Sequence, residues 1–265
     1  MEVTGRFAPS PTGPLHLGSL VAALGSWLFA RRAGGRWLVR MEDLDTPRVV
    51  PGSAEEILET LRRYELHWDG EVVFQSQRTA LYEAALDVLR AKNLVYDCGC
   101  SRADLQRAAS APVDSEPVYP GTCRNGLPPG KTPRAIRFRA SDELISFDDR
   151  LCGRIEGRSD DFIVRRADGV FAYQLAVVVD DAAQGVTQVV RGRDLLSSTP
   201  RQIALQRALA YPTPEYAHLP LVLNSDGSKL GKRDGALPLP TLDQERIAST
   251  KEWALKFIAA SSSRA

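Results

Sequence analysis

The stretch Arg6-Phe-Ala-Pro-Ser-Pro-Thr-Gly-Pro-Leu-His16-Leu-Gly-Ser19 runs straight into the apolar segment Leu20-Val-Ala-Ala-Leu-Gly-Ser-Trp-Leu-Phe29, and that junction narrows what the chain can fold into. A short run ending at Phe7, a Pro/Gly loop and a periodic apolar segment opening at Gly18-Ser19 read as strand, tight loop and helix N-terminus. Backbone N–H groups and the positive end of the helix dipole then face whatever occupies the loop, with His16 as a further donor in the same turn. Phosphate suits such a site. Pro9, Pro11, Gly13 and Pro14 would equally make a rigid connection in which His16 packs or caps.

Strand and helix signals then alternate. Arg36 to Met41 reads as a strand ending in Glu42-Asp-Leu-Asp45, and Ser53-Ala-Glu-Glu56 as a capping box opening a helix to about Tyr64. Val72 to Phe74 is β-like, Arg78 to Asn93 is amphipathic, and Val95-Tyr96 leads into Cys98. This order predicts an α/β fold, a parallel sheet with helices on both faces. Ligands of such sheets bind beyond the carboxyl ends of the strands, where Arg6 to Ser10 and Glu42 fall. Glu42 could also be a solvated loop acid or a helix cap.

From Cys98 the character changes, and residues 94–161 read as an insertion in the α/β core. Cys98-Gly-Cys100 and Cys123 can supply three ligands of a tetrahedral zinc, with Tyr119 or Cys152 as the fourth; small buried thiols are the alternative. Lys131, Arg134, Arg137 and Arg139 read either as phosphate contacts or as an ordinary charged strand face.

The core resumes with the hairpin signal Arg166-Ala-Asp-Gly-Val-Phe171. The apolar run from Tyr173 to Asp181 follows, with Tyr173 at the edge of a core and Asp180-Asp181 as a solvated terminus. Gln188 to Gly192 is a strand carrying Arg191 near its end. Thr199-Pro-Arg-Gln202 reads as a second capping box, opening a scaffold helix to about Tyr211. In Asn224-Ser-Asp-Gly-Ser-Lys229-Leu-Gly-Lys232-Arg233, the turn signal Asp226-Gly227 after the apolar run Leu219 to Leu223 sets the lysines on a loop beyond a strand.

At 265 residues, 43% hydrophobic and 25% charged, the chain can bury one large core with an inserted subdomain. No run approaches the ~20 apolar residues of a membrane helix, and no basic-then-apolar signal opens the sequence, so a cytoplasmic protein is expected. The net charge of +1 decides nothing about nucleic acid, because a neutral total can hide a basic face. Four cysteines argue for reduced or metal-bound thiols.

His16-Leu-Gly-Ser19 and Lys229-Leu-Gly-Lys232-Arg233 resemble the HIGH and KMSKS sequences of class I aminoacyl-tRNA synthetases. Arg6 to Leu20, Met41 to Arg48 and Val189 to Leu196 resemble the glutamyl branch of that family, and the match extends from Arg6 to Arg233. The resemblance implies a Rossmann-like catalytic domain in two halves (1–93 and 162–240), an inserted zinc-containing acceptor-binding-type subdomain (94–161) and a C-terminal helical segment (241–265). It implies that Arg6, Phe7, Ala8, Pro9 and Ser10 bind glutamate, with Glu42 on the α-amino group, Tyr173 on the amino acid and Arg191 on the side-chain carboxylate. His16, Gly18, Ser19 and Lys232 would bind ATP, with His16, Lys232 and secondarily Lys229 catalytic and Mg²⁺ accompanying the nucleotide. Cys98, Cys100, Tyr119 and Cys123 would hold one structural zinc. Ser19 in place of the second histidine and Gly231 within the lysine motif depart from the family pattern. The end at Ala265, before any anticodon-binding domain, resembles truncated members of the branch and implies transfer of glutamate to queuosine in tRNA(Asp). A synthetase fragment charging the tRNA 3′ end and a non-catalytic RNA- or zinc-binding paralogue are the alternatives.

Overall fold

The computed structural model describes residues 2–101, 103–104, 119–223 and 244–262. The lysine motif therefore lies outside the described residues. Strand β1 (Thr4–Phe7), buried throughout, pairs in parallel with β2 (Arg36–Met41), Thr4 opposite Arg36 and Phe7 opposite Val39. The short β3 (Val73–Phe74) extends this sheet in parallel from β2.

The crossover between β1 and β2 is α1 (Leu17–Arg32), and its lack of a polar face follows from its burial. Leu20, Val21 and Leu24 pack with Trp37, Val39 and Met41 of β2, and with Ala254 and Ile258 of the C-terminal helix Gln244–Ser262. A Cβ at Gly25 would come within 2.5 Å of the Leu219 side chain, so glycine lets α1 lie close to the strand carrying that leucine. The helix α2 (Ser53–Arg63) buries Ile57 and Leu61 in the same core.

A second sheet has the order β7-β6-β10-β9. In it β9 (Gln188–Gly192) and β10 (Glu215–Leu219) are parallel, with Arg191 opposite His218. The hairpin β6 (Leu144–Asp149) and β7 (Gly153–Arg158) joins β10 at Tyr216 opposite Asp149. The two sheets meet where β1 runs beside β9: Thr187 N–H donates to the Thr4 carbonyl at 3.0 Å, and Thr4 N–H to Thr187 Oγ1 at 2.9 Å. A third, antiparallel sheet has the order β4-β5-β8, from Val95–Cys98, Ala135–Phe138 and Ile163–Arg165. It packs with α3 (Thr79–Ala91), α4 (Tyr173–Ala183) and α5 (Thr199–Leu209) through Val95, Phe138, Val164, Leu86, Leu175 and Leu205.

Several sequence expectations need correction. The hairpin β6–β7 lies inside the stretch read as an insertion, yet it is bonded to the core sheet, so the stretch 94–161 is not one unit of pairing. Ser53 does not cap α2: Gly52 holds that position in a left-handed conformation, φ 79°, and the Ser53 hydroxyl exchanges hydrogen bonds with the backbone of Gly13, 2.9 Å each way. Thr199 makes no capping bond either. The run from Tyr173 is helical, and Asp180 and Asp181 are buried rather than solvated. The strand before the lysine motif ends at Leu219, so Pro220 to Val222 follow it as irregular chain. Among the described residues, no helix is long and apolar enough to cross a membrane.

Candidate active site

The carboxyl ends of β1, β2 and β9 open onto a cavity of about 580 Å³ lined by Arg6, Phe7, Ala8, Ser10, Glu42, Tyr173 and Arg191. A second cavity of about 350 Å³ adjoins it and shares Phe7, Ala8, Ser10, Ala22 and Gly192; its other walls include Pro9, His16, Gly18, Ser19, Asp194 and Leu221. The residues expected to bind glutamate, other than Pro9, thus surround the first space. The described residues expected to bind ATP line the second.

Arg191 is buried, and its hydrogen-bond partners are neutral groups. Nε–H donates to His218 Nε2 at 3.0 Å, Nη1 to Gln202 Oε1 at 2.8 Å and Nη2 to Thr199 Oγ1 at 2.8 Å. Two longer bonds of 3.4 Å run from Nη1 to the Tyr173 hydroxyl and from Nη2 to the Leu195 carbonyl. Three short bonds fix the fork, and each terminal nitrogen keeps one weakly committed N–H, the pair that a carboxylate takes in a two-point contact. Among the described residues no carboxylate pairs with this buried cation. Thr199 and Gln202, read from sequence as a cap, hold the guanidinium instead.

Glu42 faces the same cavity beneath a buried charge cluster. Arg40 is fully buried; its Nη1 lies 2.8 Å from Asp181, and its other nitrogens lie 3.7 Å from Asp180 and from Glu42. Arg6 pairs with Asp181 at 3.3 Å and donates to the Val190 carbonyl, and Asp180 accepts further from Arg78, Gln75 and Tyr82. Burial would raise Asp181, but Arg6 and Arg40 hold its carboxyl below the usual range. Burial would also lower Arg40, yet Asp181, Glu42 and Asp180 keep it firmly protonated. At Glu42 burial wins: it pushes the carboxyl up to about 7, against the pull of Arg40 and Arg6. An acid with so little stabilisation of its charge is poised to accept a cation.

In the second cavity His16 is the N-cap of α1, with Nδ1 accepting from Ser19 N–H at 3.3 Å. That bond puts the proton of the neutral ring on Nε2. The two readings of His16, cap and donor, are thus compatible, one on each ring nitrogen.

Cys98, Cys100 and Cys123 gather at one end of the β4-β5-β8 sheet with their sulfurs within 4.8 Å of one another. The Tyr119 hydroxyl is 3.5 Å from Cys98 Sγ and 3.8 Å from Cys100 Sγ, and the Cys100 and Cys123 sulfurs are 3.7 Å apart. Zinc–sulfur bonds of about 2.3 Å at tetrahedral angles put sulfurs about 3.8 Å apart, so the three thiols and the phenol fit that ion. Arg137 lies over the Tyr119 ring at 3.7 Å and donates to Cys98 Sγ at 3.3 Å. Against the effect of burial, the bonds from Tyr119 and Arg137 bring the Cys98 thiol below its ordinary range. Cys152 stands apart, its thiol against the His218 carbonyl at 3.6 Å. Of the four basic residues read as phosphate contacts or a charged strand face, Arg137 is buried here, Lys131 pairs with Asp104, Arg139 lies over Tyr96, and Arg134 is exposed.

The residues missed from sequence are the partners of the functional ones: His218, Thr199 and Gln202 around Arg191, and Arg40, Asp180 and Asp181 around Arg6 and Glu42. Thr199 and Gln202 gave a signal that read as a helix cap, and the pair of acids at the end of an apolar run gave one that read as a solvated terminus.

A family model described as tRNA synthetases class I (E and Q), catalytic domain, matches residues 2–258. The chain is 61% identical over 243 residues to the glutamyl-Q tRNA(Asp) synthetase of Geobacter sulfurreducens, covering 89% of this chain and 77% of that protein. To the enzyme of the same name from Dechloromonas aromatica it is 55% identical over 259 residues, covering 96% and 85%. Among solved structures, a glutamate tRNA ligase from Elizabethkingia meningosepticum in complex with its amino acid is similar at TM-score 0.78 and 33% identity, over 92% of this chain and 55% of that one. A tyrosyl-tRNA synthetase from Aeropyrum pernix, at TM-score 0.51 and 13% identity, shares the fold.

Proposed function

The chain belongs to the catalytic-domain family of the class I tRNA synthetases for E and Q, and from that premise we propose that it activates L-glutamate with ATP and passes the glutamyl group to queuosine in tRNA(Asp). The observation that carries the choice of amino acid is Arg191, a buried guanidinium that faces the cavity with two loosely held N–H groups and, among the described residues, no carboxylate paired with it. A γ-carboxylate supplies the missing counter-charge, whereas a neutral amide leaves it unmet. Glu42 takes the α-ammonium, recovering as an ion pair the charge that burial disfavours.

The α-carboxylate, already ionised, attacks the α-phosphorus of ATP, and the bond to the bridging oxygen breaks to release pyrophosphate. No base is required, so the protein positions reactants and stabilises developing charge. The His16 Nε2–H and the N-terminus of α1 would meet the phosphates, and Lys232 and Lys229, outside the described residues, would neutralise the departing pyrophosphate. Mg²⁺ bound with ATP would supply further charge neutralisation. A hydroxyl of the queuosine cyclopentenediol then attacks the adenylate carbonyl, and AMP leaves. Cys98, Cys100, Tyr119 and Cys123 would hold a structural zinc that fixes the loop-rich segment around them. The use of ATP and tRNA as substrates supports a cytoplasmic location.

The test is glutamate-dependent ATP–pyrophosphate exchange by the wild type and Arg191→Gln. Wild type should exchange with glutamate and poorly with glutamine. The variant should lose that preference by about a hundredfold, the size of an unmet buried charge contact of ~3 kcal/mol. An unchanged preference would mean that another residue reads the carboxylate.

A further inference from the structure

We infer that Asp149 and His218 are positioning residues for amino-acid selection: Asp149 fixes the tautomer of His218 so that its Nε2 lone pair holds the Arg191 guanidinium in the glutamate cavity. The inference rests on the reading of Arg191 given above.

The geometry leaves one assignment of protons. Arg191 Nε always carries hydrogen, and it points at His218 Nε2 from 3.0 Å, so Nε2 must be the unprotonated, accepting nitrogen. The Thr199 hydroxyl, 3.2 Å from the same nitrogen, accepts from Arg191 Nη2, and its one hydrogen can turn to Nε2 or to the Leu195 carbonyl at 3.5 Å, so it is compatible with an accepting Nε2. The ring proton therefore sits on Nδ1, which meets Asp149 Oδ2 at 2.5 Å. All of this is closed to solvent, the side chains of Asp149 and His218 both being fully buried. Burial keeps the imidazole neutral by pushing its pKa down, and the charge of Arg191 acts in the same direction against the pull of Asp149.

Asp149 is itself anchored in one orientation. Its Oδ1 accepts from three backbone N–H groups, those of His218 at 3.1 Å, Leu151 at 3.0 Å and Cys152 at 2.9 Å, which leaves only Oδ2 for the imidazole. Below the ring, Tyr216 stacks on His218 at 6.1 Å with an interplanar angle of 11° and lies under the Arg191 guanidinium at 5.5 Å. The parallel pairing of β9 with β10 puts Arg191 directly opposite His218, and the pairing of β10 with β6 brings in Asp149. The hairpin β6–β7 is thereby tied to the active site through a carboxylate that never touches substrate.

The anchoring makes Asp149→Asn a directed perturbation. Three backbone donors hold the asparagine oxygen where Oδ1 was, so the amide N–H₂ must face His218 Nδ1. That reverses the tautomer and turns an Nε2–H against Arg191 Nε–H. The guanidinium is then displaced, and misplacement on the scale of 1 Å costs up to about a hundredfold. His218→Gln is the counter-experiment, because its carbonyl oxygen can replace Nε2 as acceptor.

Pyrophosphate exchange with Asp149→Asn should show a glutamate KM raised about tenfold or more and the glutamate-over-glutamine preference reduced in proportion, with the KM for ATP unchanged. His218→Gln should keep the preference. In wild-type protein labelled with ¹⁵N-histidine, one of the three histidines should be neutral and protonated at Nδ1, and its signals should vanish in His218→Gln. Wild-type values of glutamate KM and preference in folded Asp149→Asn would overturn the inference, and so would a wild-type His218 protonated at Nε2, a result that needs no variant to fold. If Arg191→Gln alone keeps the glutamate preference, the reading of Arg191 fails; if it loses the preference while Asp149→Asn does not, the positioning role fails.

Discussion

Glu42→Gln should make the free enzyme more stable at neutral and alkaline pH while crippling its use of glutamate. Burial raises the Glu42 carboxyl from the usual 4.5 to about 7, with Arg40 and Arg6 only partly offsetting it. For an acid with a raised folded-state pKa, the favourable contribution is full below the unfolded value of about 4.5 and is lost as pH rises through about 7. The shift of roughly 2.5 units at 1.36 kcal/mol each amounts to about 3 kcal/mol of ionisation cost carried by the wild type above that window. Glutamine titrates nowhere, so the variant escapes the cost. Urea denaturation without substrate should therefore find Glu42→Gln more stable by about 3 kcal/mol at pH 8.5, with the advantage shrinking toward zero near pH 4.5. The glutamate KM in pyrophosphate exchange should rise between ten- and a hundredfold, the value of a charge-assisted bond of about 1.5–3 kcal/mol to the ammonium. The reasoning is refuted if the variant is less stable than wild type at pH 8.5, if its advantage does not change with pH, or if the glutamate KM stays put.

Lys232→Ala should lower the exchange rate about a hundredfold with an unchanged melting temperature, since one aimed charge is worth ~3 kcal/mol in the transition state; a rate near wild type would remove Lys232 from the mechanism. Freshly purified protein should contain one zinc per chain, Cys98→Ser should lose it and melt earlier, and Cys152→Ser should keep it, because Cys152 lies against the His218 carbonyl and outside the thiol cluster. Metal analysis of the three proteins decides this, and zinc lost from the Cys152 variant would contradict the ligand set. In the wild type, the glutamate KM should rise as pH falls below about 7, where Glu42 is protonated in the free enzyme; a flat profile of KM against pH between 6 and 8 would contradict its contact with the ammonium.

Local pattern carried the frame of the fold. The stretches Arg36 to Met41 and Gln188 to Gly192, read as strands, are strands with those bounds, and the Pro/Gly loop does open a helix at His16-Leu17. What local pattern could not carry was the use of polar side chains whose partners come from far along the chain. The Ser53 and Thr199 signatures are sound cap signals, but Gly13 claims one hydroxyl and Arg191 the other. Asp180-Asp181 looked like a solvated end because Arg6 and Arg40, which neutralise Asp181, lie more than a hundred residues earlier. His218 carried no motif at all, and its meaning comes only from strand register, which sets it against Arg191 and Asp149. The residues expected in the site came from the resemblance; the residues that hold them in place came only from the structure.

The central claim is the transfer of glutamate to queuosine in tRNA(Asp), and the direct measurement is incorporation of labelled glutamate into tRNA(Asp) trimmed of its 3′-terminal adenosine. With queuosine present, the trimmed tRNA should accept glutamate as well as the intact molecule does, and tRNA(Asp) with unmodified guanosine at that position should accept none. Labelling that follows the 3′ adenosine and ignores queuosine would contradict the account and make this chain an enzyme that charges the end of tRNA.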